Sequence, residues 1–190
     1  MNNWLNLEGQ VCAVTGALGG MGVEICREFA RNGASVVLLD LDEGKVKTAA
    51  AGLSDEFGIH AEGYRMDATC EDEVQAAVDA TIRDFGRVDA LVNTAGILRF
   101  APMEDLPLSD WETVIKVNLT GTFIASQRFG REMIKQGAGR LVHISTAASY
   151  QPETFSGVYS STKAGVNMMS KMMAAEWGPY GVRSNCVCPC

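Results

Sequence analysis

The chain has 190 residues, of which 47% are hydrophobic and 21% are charged, and its formal net charge is −7. This composition is typical of one globular domain and excludes a disordered chain. The negative charge disfavours nucleic acid and anionic membrane surfaces as partners, and no apolar run approaches the roughly 18 residues that a membrane-spanning helix needs.

Short apolar runs alternate with longer helical patterns along the chain. Val11–Thr15 is typical of a strand buried on both faces, whereas Met21, Ile25 and Phe29 recur at helical spacing. In chain order the pattern predicts a strand over 11–15, a helix over 20–32, a strand over 34–40, a helix over 43–57, a strand over 59–66, a helix over 72–85, a strand over 88–93, a helix over 111–136, a strand over 140–145, a helix over 159–177 and a strand over 182–188. Two glycines leave the continuity of the helix over 111–136 open; they are Gly121 and Gly130.

The alternation of strands and helices predicts the fold class. Each strand–helix–strand unit makes a right-handed crossover, so the strands become parallel and helices cover both faces of the sheet. We therefore expect an α/β fold with a doubly wound parallel sheet, the Rossmann arrangement, in a single dinucleotide-binding domain over 1–190.

A glycine-rich turn joins the first strand to the first helix and is typical of a dinucleotide site. Gly16 permits a tight turn, Gly20 lets the backbone approach a pyrophosphate, and Gly22 allows the helix to pack closely on the strand. The helix N-terminus then offers free N–H groups and a partial positive charge to the phosphates. Leu18 and Met21 lie in the same turn, and we expect them in the cofactor site.

Asp40 ends the second strand, about 20 residues after Gly20, where a carboxylate can accept hydrogen bonds from a ribose diol. Because a carboxylate there would repel the extra phosphate of NADP, we predict NAD(H) rather than NADP(H), with Leu41 beside Asp40 in the cofactor site. The alternative is that Asp40 caps the next helix, although Asp42 could take that role instead.

These features resemble the short-chain dehydrogenase/reductase family, and within it the 3-oxoacyl reductases and hydroxysteroid dehydrogenases. The family motif Thr-Gly-x-x-x-Gly-x-Gly matches the segment 15–22. The resemblance implies that Asp67 contacts the adenine ring with Ala68 beside it. It also implies that the run Asn93-Thr94-Ala95-Gly96, in which Thr94 replaces the family's second asparagine, supports the sheet and the floor of the cofactor site.

Tyr159 and Lys163 are the strongest match to the family, and their four-residue spacing places them on one helical face. A free tyrosine has a pKa of about 10, and a neighbouring ammonium favours the phenolate, so we predict that Lys163 and the charged nicotinamide together lower the pKa of Tyr159. Tyr159 can then take a proton from an alcohol or return it to a ketone. By resemblance, Lys163 also holds the nicotinamide ribose, Tyr159 adjoins the cofactor, and Asn118 orients a water in the proton relay.

The family also places a serine after the fifth strand to polarise the substrate oxygen. At the usual distance before Tyr159 this chain has Thr146, and Ser145 lies one residue earlier. Threonine also offers a hydroxyl donor, so we predict Thr146 in this role, with Ser145 as the alternative.

The resemblance implies an NAD(H)-dependent oxidoreductase that interconverts a small secondary alcohol and a ketone. It also implies a dimer or tetramer, since the helices that match 111–136 and 159–177 form a four-helix interface in the family. Family members continue beyond the position of Cys190, so we expect the usual last strand and substrate lid to be missing. Two alternatives remain: a non-catalytic NAD(H)-binding module such as a redox sensor, and an epimerase or lyase that shows no net turnover of NADH.

The cysteines and histidines do not predict a metal site. Cys186, Cys188 and Cys190 alternate, but the chain has only two histidines and no Cys-x-x-Cys spacing. The first residues do not resemble a secretory signal, so we expect a cytoplasmic protein with reduced thiols. His143 lies among apolar neighbours, and we expect it to be a packed core histidine.

Overall fold

One parallel sheet of six strands runs through residues 5–189, the part of the chain that the computed structural model describes. Residues 1–4 of the segment considered for a secretory signal, and Cys190 of the cysteine run, lie outside the described residues. The strands are β1 (Val11–Thr15), β2 (Ser35–Asp40), β3 (Ala61–Arg65), β4 (Ala90–Asn93), β5 (Gly139–Ile144) and β6 (Val182–Val187). Their order is β3-β2-β1-β4-β5-β6, and every pair is parallel.

Helices cover both faces of this sheet, which confirms the predicted doubly wound fold. They are α1 (Gly20–Arg31), α2 (Glu43–Phe57), α3 (Glu71–Phe85), α4 (Leu108–Ile115), α5 (Thr122–Gln136) and α6 (Gly157–Trp177). On one face α3, α5 and α6 bury Val74, Phe129 and Met173. On the other face α1 and α2 bury Cys26 and Val46. Between residues 5 and 189, no helix has both the length and the apolar character needed to cross a membrane.

The long helix predicted over 111–136 begins earlier and contains a wider turn. Its first part, α4, starts at Leu108, and the segment Lys116–Gly121 is π-helical before α5 continues. Gly130 does not interrupt the helix but allows a close contact, because a Cβ there would lie 2.6 Å from the ring of Trp177. The helical path is therefore continuous. A π-helical turn often accompanies a functional site, and this one contains Asn118.

His143 is packed in the core, as predicted, within a cluster of buried hydrogen bonds. Its Nδ1 lies 3.2 Å from the amide nitrogen of Asn93, so Nδ1 is the accepting, unprotonated nitrogen. Nε2–H then donates to the Ser184 hydroxyl over 3.1 Å. Burial, with a smaller contribution from the Lys163 charge, lowers the pKa of His143 to about 4. The ring is therefore neutral at pH 7.

We expect His143 to make the folded state less stable in acid. Its pKa is 6.5 in a free chain and about 4 in the folded protein, so the unfolded chain binds more protons between these values. The free energy of unfolding should be unaffected by this group above pH 6.5 and should lose about 3 kcal/mol as the pH falls toward 4. His143→Gln, which can still accept from Asn93 and donate to Ser184, should lack this component. Urea unfolding from pH 7 to 4 tests the difference, and parallel stability profiles would contradict it.

Candidate active site

A cleft of about 660 Å³ opens beyond the carboxyl ends of β1, β2 and β4. The strand order reverses between β1 and β4, and ligands of doubly wound sheets bind at this kind of point. Most of the predicted cofactor residues line the cleft: Gly16, Leu18, Asp40, Leu41, Asp67, Ala68, Ala95 and Gly96.

Several lining residues carry no sequence signal that could have identified them. Thr113, Lys116 and Val117 reach the cleft from α4 and the π-helical turn, far along the chain from the glycine-rich turn. Only the tertiary packing of this helix beside the loop after β4 brings them there. The lining residues that the sequence did not place in the site are Gly19, Met66, Thr69, Thr113, Lys116 and Val117.

The turn after β1 requires its first and last glycines for steric reasons. Gly16 has φ +64°, and a Cβ on it would lie 2.8 Å from the Ala95 backbone. A Cβ on Gly22 would lie 2.2 Å from the Gly16 carbonyl, so Gly22 lets α1 pack against the turn. A Cβ on Gly20 would meet no atom of residues 5–189 within 4 Å. Gly20, Gly22 and the largely exposed Met21 do not line the cleft itself.

The N-terminus of α1 has the character of an anion site. Its N-cap residue is Gly19, and none of the side chains that the structure describes caps this helix end. The first N–H groups of α1 therefore keep their partial positive charge, and they begin where the cleft-lining turn ends. The uncapped helix end and the space beside Gly20 fit the pyrophosphate of a dinucleotide.

Asp40 belongs to the cleft and does not cap the following helix. Its carboxylate accepts hydrogen bonds from the Leu18 N–H at 2.8 Å and the Leu41 N–H at 2.7 Å. Asp42 caps α2 instead, by accepting from the Lys45 N–H at 3.0 Å. The Lys45 ammonium also pairs with Asp42, at 2.8 Å. The first basic side chain after Asp40 is thus held by another carboxylate.

Asn93, the last residue of β4, and Thr94 after it form hydrogen bonds to neighbouring elements. Asn93 is buried, and its amide nitrogen donates to the Ser126 hydroxyl at 3.1 Å, so its side chain points into the core and away from the cleft. Its Oδ1 has no hydrogen-bond partner among the described residues. Thr94, which stands where the family has asparagine, donates from Oγ1 to the Thr15 carbonyl at 2.5 Å. Asn93 therefore supports the floor of the site from below.

Asn118 clamps the loop after β4 from the π-helical turn. Its Oδ1 accepts from the Ile97 N–H at 2.8 Å, and its Nδ2 donates to the Ile97 carbonyl at 2.8 Å. Nδ2 also lies 3.4 Å from the Thr162 hydroxyl. Both ends of this amide are therefore occupied by protein groups, and the loop that lines the cleft is fixed to the helix that carries Tyr159.

Tyr159 and Lys163 lie on the first turns of α6, and burial shifts the pKa values of both. Lys163 is buried and donates from Nζ to the Ile144 carbonyl at 2.7 Å, with Nζ 5.6 Å from the centre of the Tyr159 ring. Burial lowers the pKa of Lys163 to about 8. Burial, and then the carboxylate of Glu153, raise the pKa of Tyr159. Without the charge of a nicotinamide, burial therefore leaves the Tyr159 pKa raised, and the predicted lowering with the cofactor bound stays a prediction.

The two candidate hydroxyls after β5, those of Ser145 and Thr146, differ in whether their O–H is already used in a hydrogen bond. Ser145 is buried and donates from Oγ to the Lys163 carbonyl at 3.4 Å. The Oγ1 of Thr146 accepts from the Ala148 N–H at 3.3 Å, which leaves its own O–H free to donate. Of the two hydroxyls, only that of Thr146 has no acceptor among the described residues.

The family model of the short chain dehydrogenases matches residues 10–190. The chain belongs to this family. Among curated relatives, this dehydrogenase is 40% identical over 183 residues to the D-threitol dehydrogenase of Mycolicibacterium smegmatis, with 96% of this chain and 70% of the relative covered. It is 36% identical over 185 residues to the 3-oxoacyl-[acyl-carrier-protein] reductase FabG of Aquifex aeolicus, with 97% of this chain and 75% of the relative covered.

Solved structures of similar dehydrogenases superpose closely. One is an NAD+-bound xylitol dehydrogenase, with TM-score 0.93 and 33% identity, covering 96% of this chain and 70% of that chain. Another is a gluconate 5-dehydrogenase from Burkholderia cenocepacia in complex with NADP and tartrate, with TM-score 0.93 and 35% identity, covering 96% of this chain and 71% of that chain. This dehydrogenase is therefore an oxidoreductase of the alcohol/ketone type with the fold of a nicotinamide-binding enzyme.

We expect alanine to have different effects at Gly20 and at Gly22, the two glycines in the first turn of α1. Gly22→Ala places a methyl group 2.2 Å from the Gly16 carbonyl, so it should lower the melting temperature by several degrees and also weaken NADH binding. The methyl group of Gly20→Ala meets no atom of the described residues within 4 Å, so it should leave the melting temperature unchanged or raised while weakening NADH binding alone. Thermal unfolding and NADH fluorescence titration of both variants test this. Equal melting temperatures for the two would contradict the assignment.

Proposed function

We propose that this dehydrogenase interconverts a secondary alcohol and a ketone with NAD(H), using Tyr159 as the proton donor and acceptor. The observation that carries the proposal is the placement of Tyr159 beside the buried Lys163 on α6. Asn118 links the same region to the loop that lines the cofactor cleft. A tyrosine with a buried cation one helical turn away is an arrangement suited to proton transfer.

Each reacting group has a defined task in this proposal. Oxidation of the alcohol removes two electrons and two hydrogens, and the bound nicotinamide supplies the two-electron chemistry at the carbon. The Tyr159 oxygen takes the proton of the alcohol hydroxyl, and in the reverse direction it returns that proton to the ketone oxygen. The Thr146 O–H donates a hydrogen bond to the same substrate oxygen. The Lys163 ammonium, 5.6 Å from the centre of the Tyr159 ring, together with the charge of the bound nicotinamide would favour the phenolate of Tyr159.

The non-catalytic alternative needs fewer groups than this chain has. An NAD(H)-binding module requires only the cleft and the uncapped helix end, and it gives no reason to bury a lysine next to a tyrosine. The presence of Tyr159, Lys163 and Asn118 together supports the enzyme. The dimer or tetramer, the cytoplasmic location and the single-domain organisation stay predictions.

We expect Tyr159→Phe to abolish proton transfer while leaving cofactor binding intact. Loss of the general acid/base should lower kcat at least about 100-fold in both directions. Tyr180→Phe is the matched control, because Tyr180 is exposed beyond the end of α6 and should behave like the wild type. Initial rates with NAD and a panel of secondary alcohols, together with NADH titration, test the role. Retained turnover in Tyr159→Phe would exclude it, and NADH binding without turnover in the wild type would support the binding-module alternative.

We expect Asp40 to set the preference for NAD over NADP. The carboxylate faces the cleft and would lie next to the ribose, where it repels a 2′-phosphate. Asp40→Asn keeps the size of the side chain and should lower the ratio of kcat/KM for NAD over NADP at least about tenfold. Asp42→Asn removes the same charge from the cap of α2 and should leave the ratio unchanged. An unchanged ratio in Asp40→Asn would assign the preference to other residues.

A further inference from the structure

Asn167 lies on the face of α6 that carries Tyr159 and Lys163, because a spacing of four residues separates each from the next. It is only 6% exposed, and no step of the proposed reaction uses it. From this face the Lys163 ammonium binds the Ile144 carbonyl at the end of β5. Asn167, one turn further along α6, reaches the short turn that follows Thr146. The two side chains therefore hold the chain on both sides of the candidate hydroxyl.

Two short hydrogen bonds in series join Asn167 to the backbone of Thr146. The Asn167 Nδ2 donates to the Ser149 hydroxyl at 2.7 Å, and that hydroxyl donates to the Thr146 carbonyl at 2.6 Å. The direction of both bonds is fixed, because a carbonyl can only accept and a serine hydroxyl has a single proton. The other end of the amide, Oδ1, has no hydrogen-bond partner among residues 5–189. Within these residues, the Asn167 side chain therefore bonds only to Ser149, and an apolar or purely accepting side chain at this position would break the series.

Both polar groups of Ser149 bind the Thr146 carbonyl. The Ser149 N–H donates to this carbonyl at 3.1 Å, in addition to the hydroxyl. The Thr146 side chain is tied to the same turn, since its Oγ1 accepts from the Ala148 N–H at 3.3 Å. Threonine is β-branched, so few rotamers are open to its side chain. The orientation of the Thr146 backbone, which Ser149 holds, therefore decides where the Thr146 O–H points.

We propose that Asn167 is a positioning residue, which acts through Ser149 to direct the Thr146 hydroxyl toward the substrate oxygen. The inference rests on the proposed function, in which the Thr146 O–H donates to that oxygen, and it adds a residue that acts through two hydrogen bonds. A hydrogen bond to the substrate oxygen matters most in the transition state, where negative charge develops on that oxygen. A misdirected Thr146 hydroxyl should therefore lower kcat and leave the affinity for the cofactor unchanged.

Variants of Asn167 and Ser149 in the full chain test the assignment, with the secondary alcohol that the wild type oxidises. Asn167→Leu has a similar size but no donor, and Ser149→Ala removes the hydroxyl between Asn167 and the Thr146 carbonyl. Each should lower kcat about tenfold and leave the NADH dissociation constant within about twofold of the wild type. Ser149→Thr keeps the hydroxyl and borders a groove of about 370 Å³ that can take the added methyl group, so its kcat should match the wild type. Ser161→Ala is the matched control, because the exposed Ser161 hydroxyl donates only within its own helix, to the Gly157 carbonyl.

A double-mutant cycle with Thr146→Val separates positioning from a purely structural role. Valine has the shape of threonine without the hydroxyl, so Thr146→Val removes the group that Asn167 is proposed to direct. The double variant Asn167→Leu with Thr146→Val should then be no slower than Thr146→Val alone. Losses of kcat that multiply in the double variant would overturn the inference. If Asn167→Leu does not fold, as its thermal unfolding shows, the same cycle with Ser149→Ala decides in its place.

The outcomes separate this inference from the proposed function. Turnover that is lost in Tyr159→Phe but is unchanged in Asn167→Leu and Ser149→Ala would overturn the role of Asn167 and leave the dehydrogenase assignment intact. Wild-type kcat in Thr146→Val would have the same consequence for Asn167. A wild type that oxidises no secondary alcohol would instead overturn the proposed function, and with it the role of Thr146 on which the positioning depends.

Discussion

The pairing of β1 with β4 is the constraint on which the rest of the site depends. The chain leaves β1 toward β2 and later returns to the other side of β1, where Thr15 pairs with Asn93. The loops that follow these two strands must therefore pass each other at one edge of the sheet. They meet where Gly16 leaves room for Ala95, and the Thr94 hydroxyl bonds the end of β1. The cofactor cleft opens beyond this contact.

A series of buried hydrogen bonds connects the end of β4 to the π-helical turn beside the proposed reaction centre. The Asn93 amide donates to Ser126 and faces His143, so the end of β4 is tied to α5 and to β5. The Ser126 hydroxyl donates to the Thr122 carbonyl, and the Thr122 hydroxyl donates to the Asn118 carbonyl. Each of these groups would be costly to leave unpaired in a low-dielectric interior, so this series of hydrogen bonds has one well-defined arrangement. It holds the π-helical turn at the position from which Asn118 reaches the loop after β4.

Backbone dipoles dominate the electrostatics of the cofactor cleft, whereas burial dominates those of the Tyr159–Lys163 pair. The chain carries a net charge of −7. The cleft is lined by two carboxylates, those of Asp40 and Asp67, and by one cation, Lys116. The backbone dipoles at the start of α1 must therefore provide much of the attraction for phosphates. At the reaction centre burial acts in opposite directions on the acid and the base: it raises the pKa of Tyr159 and lowers that of Lys163. Both shifts favour the neutral forms, so a positive charge brought beside the pair would have a large effect on Tyr159.

The sequence by itself determined the doubly wound sheet and the order of its motifs, because apolar periodicity and the spacing from the glycine-rich turn to Asp40 are local properties of the chain. It also indicated the Tyr159–Lys163 pair, since four-residue spacing fixes a helical face. Only the tertiary structure decided that the long helix widens at Asn118 and that Lys116 reaches the cleft. It also decided that the Lys163 ammonium donates to a backbone carbonyl and that burial raises the pKa of Tyr159. These features depend on which distant segments pack together and on how much water they exclude, and neither quantity is encoded in any short stretch of residues.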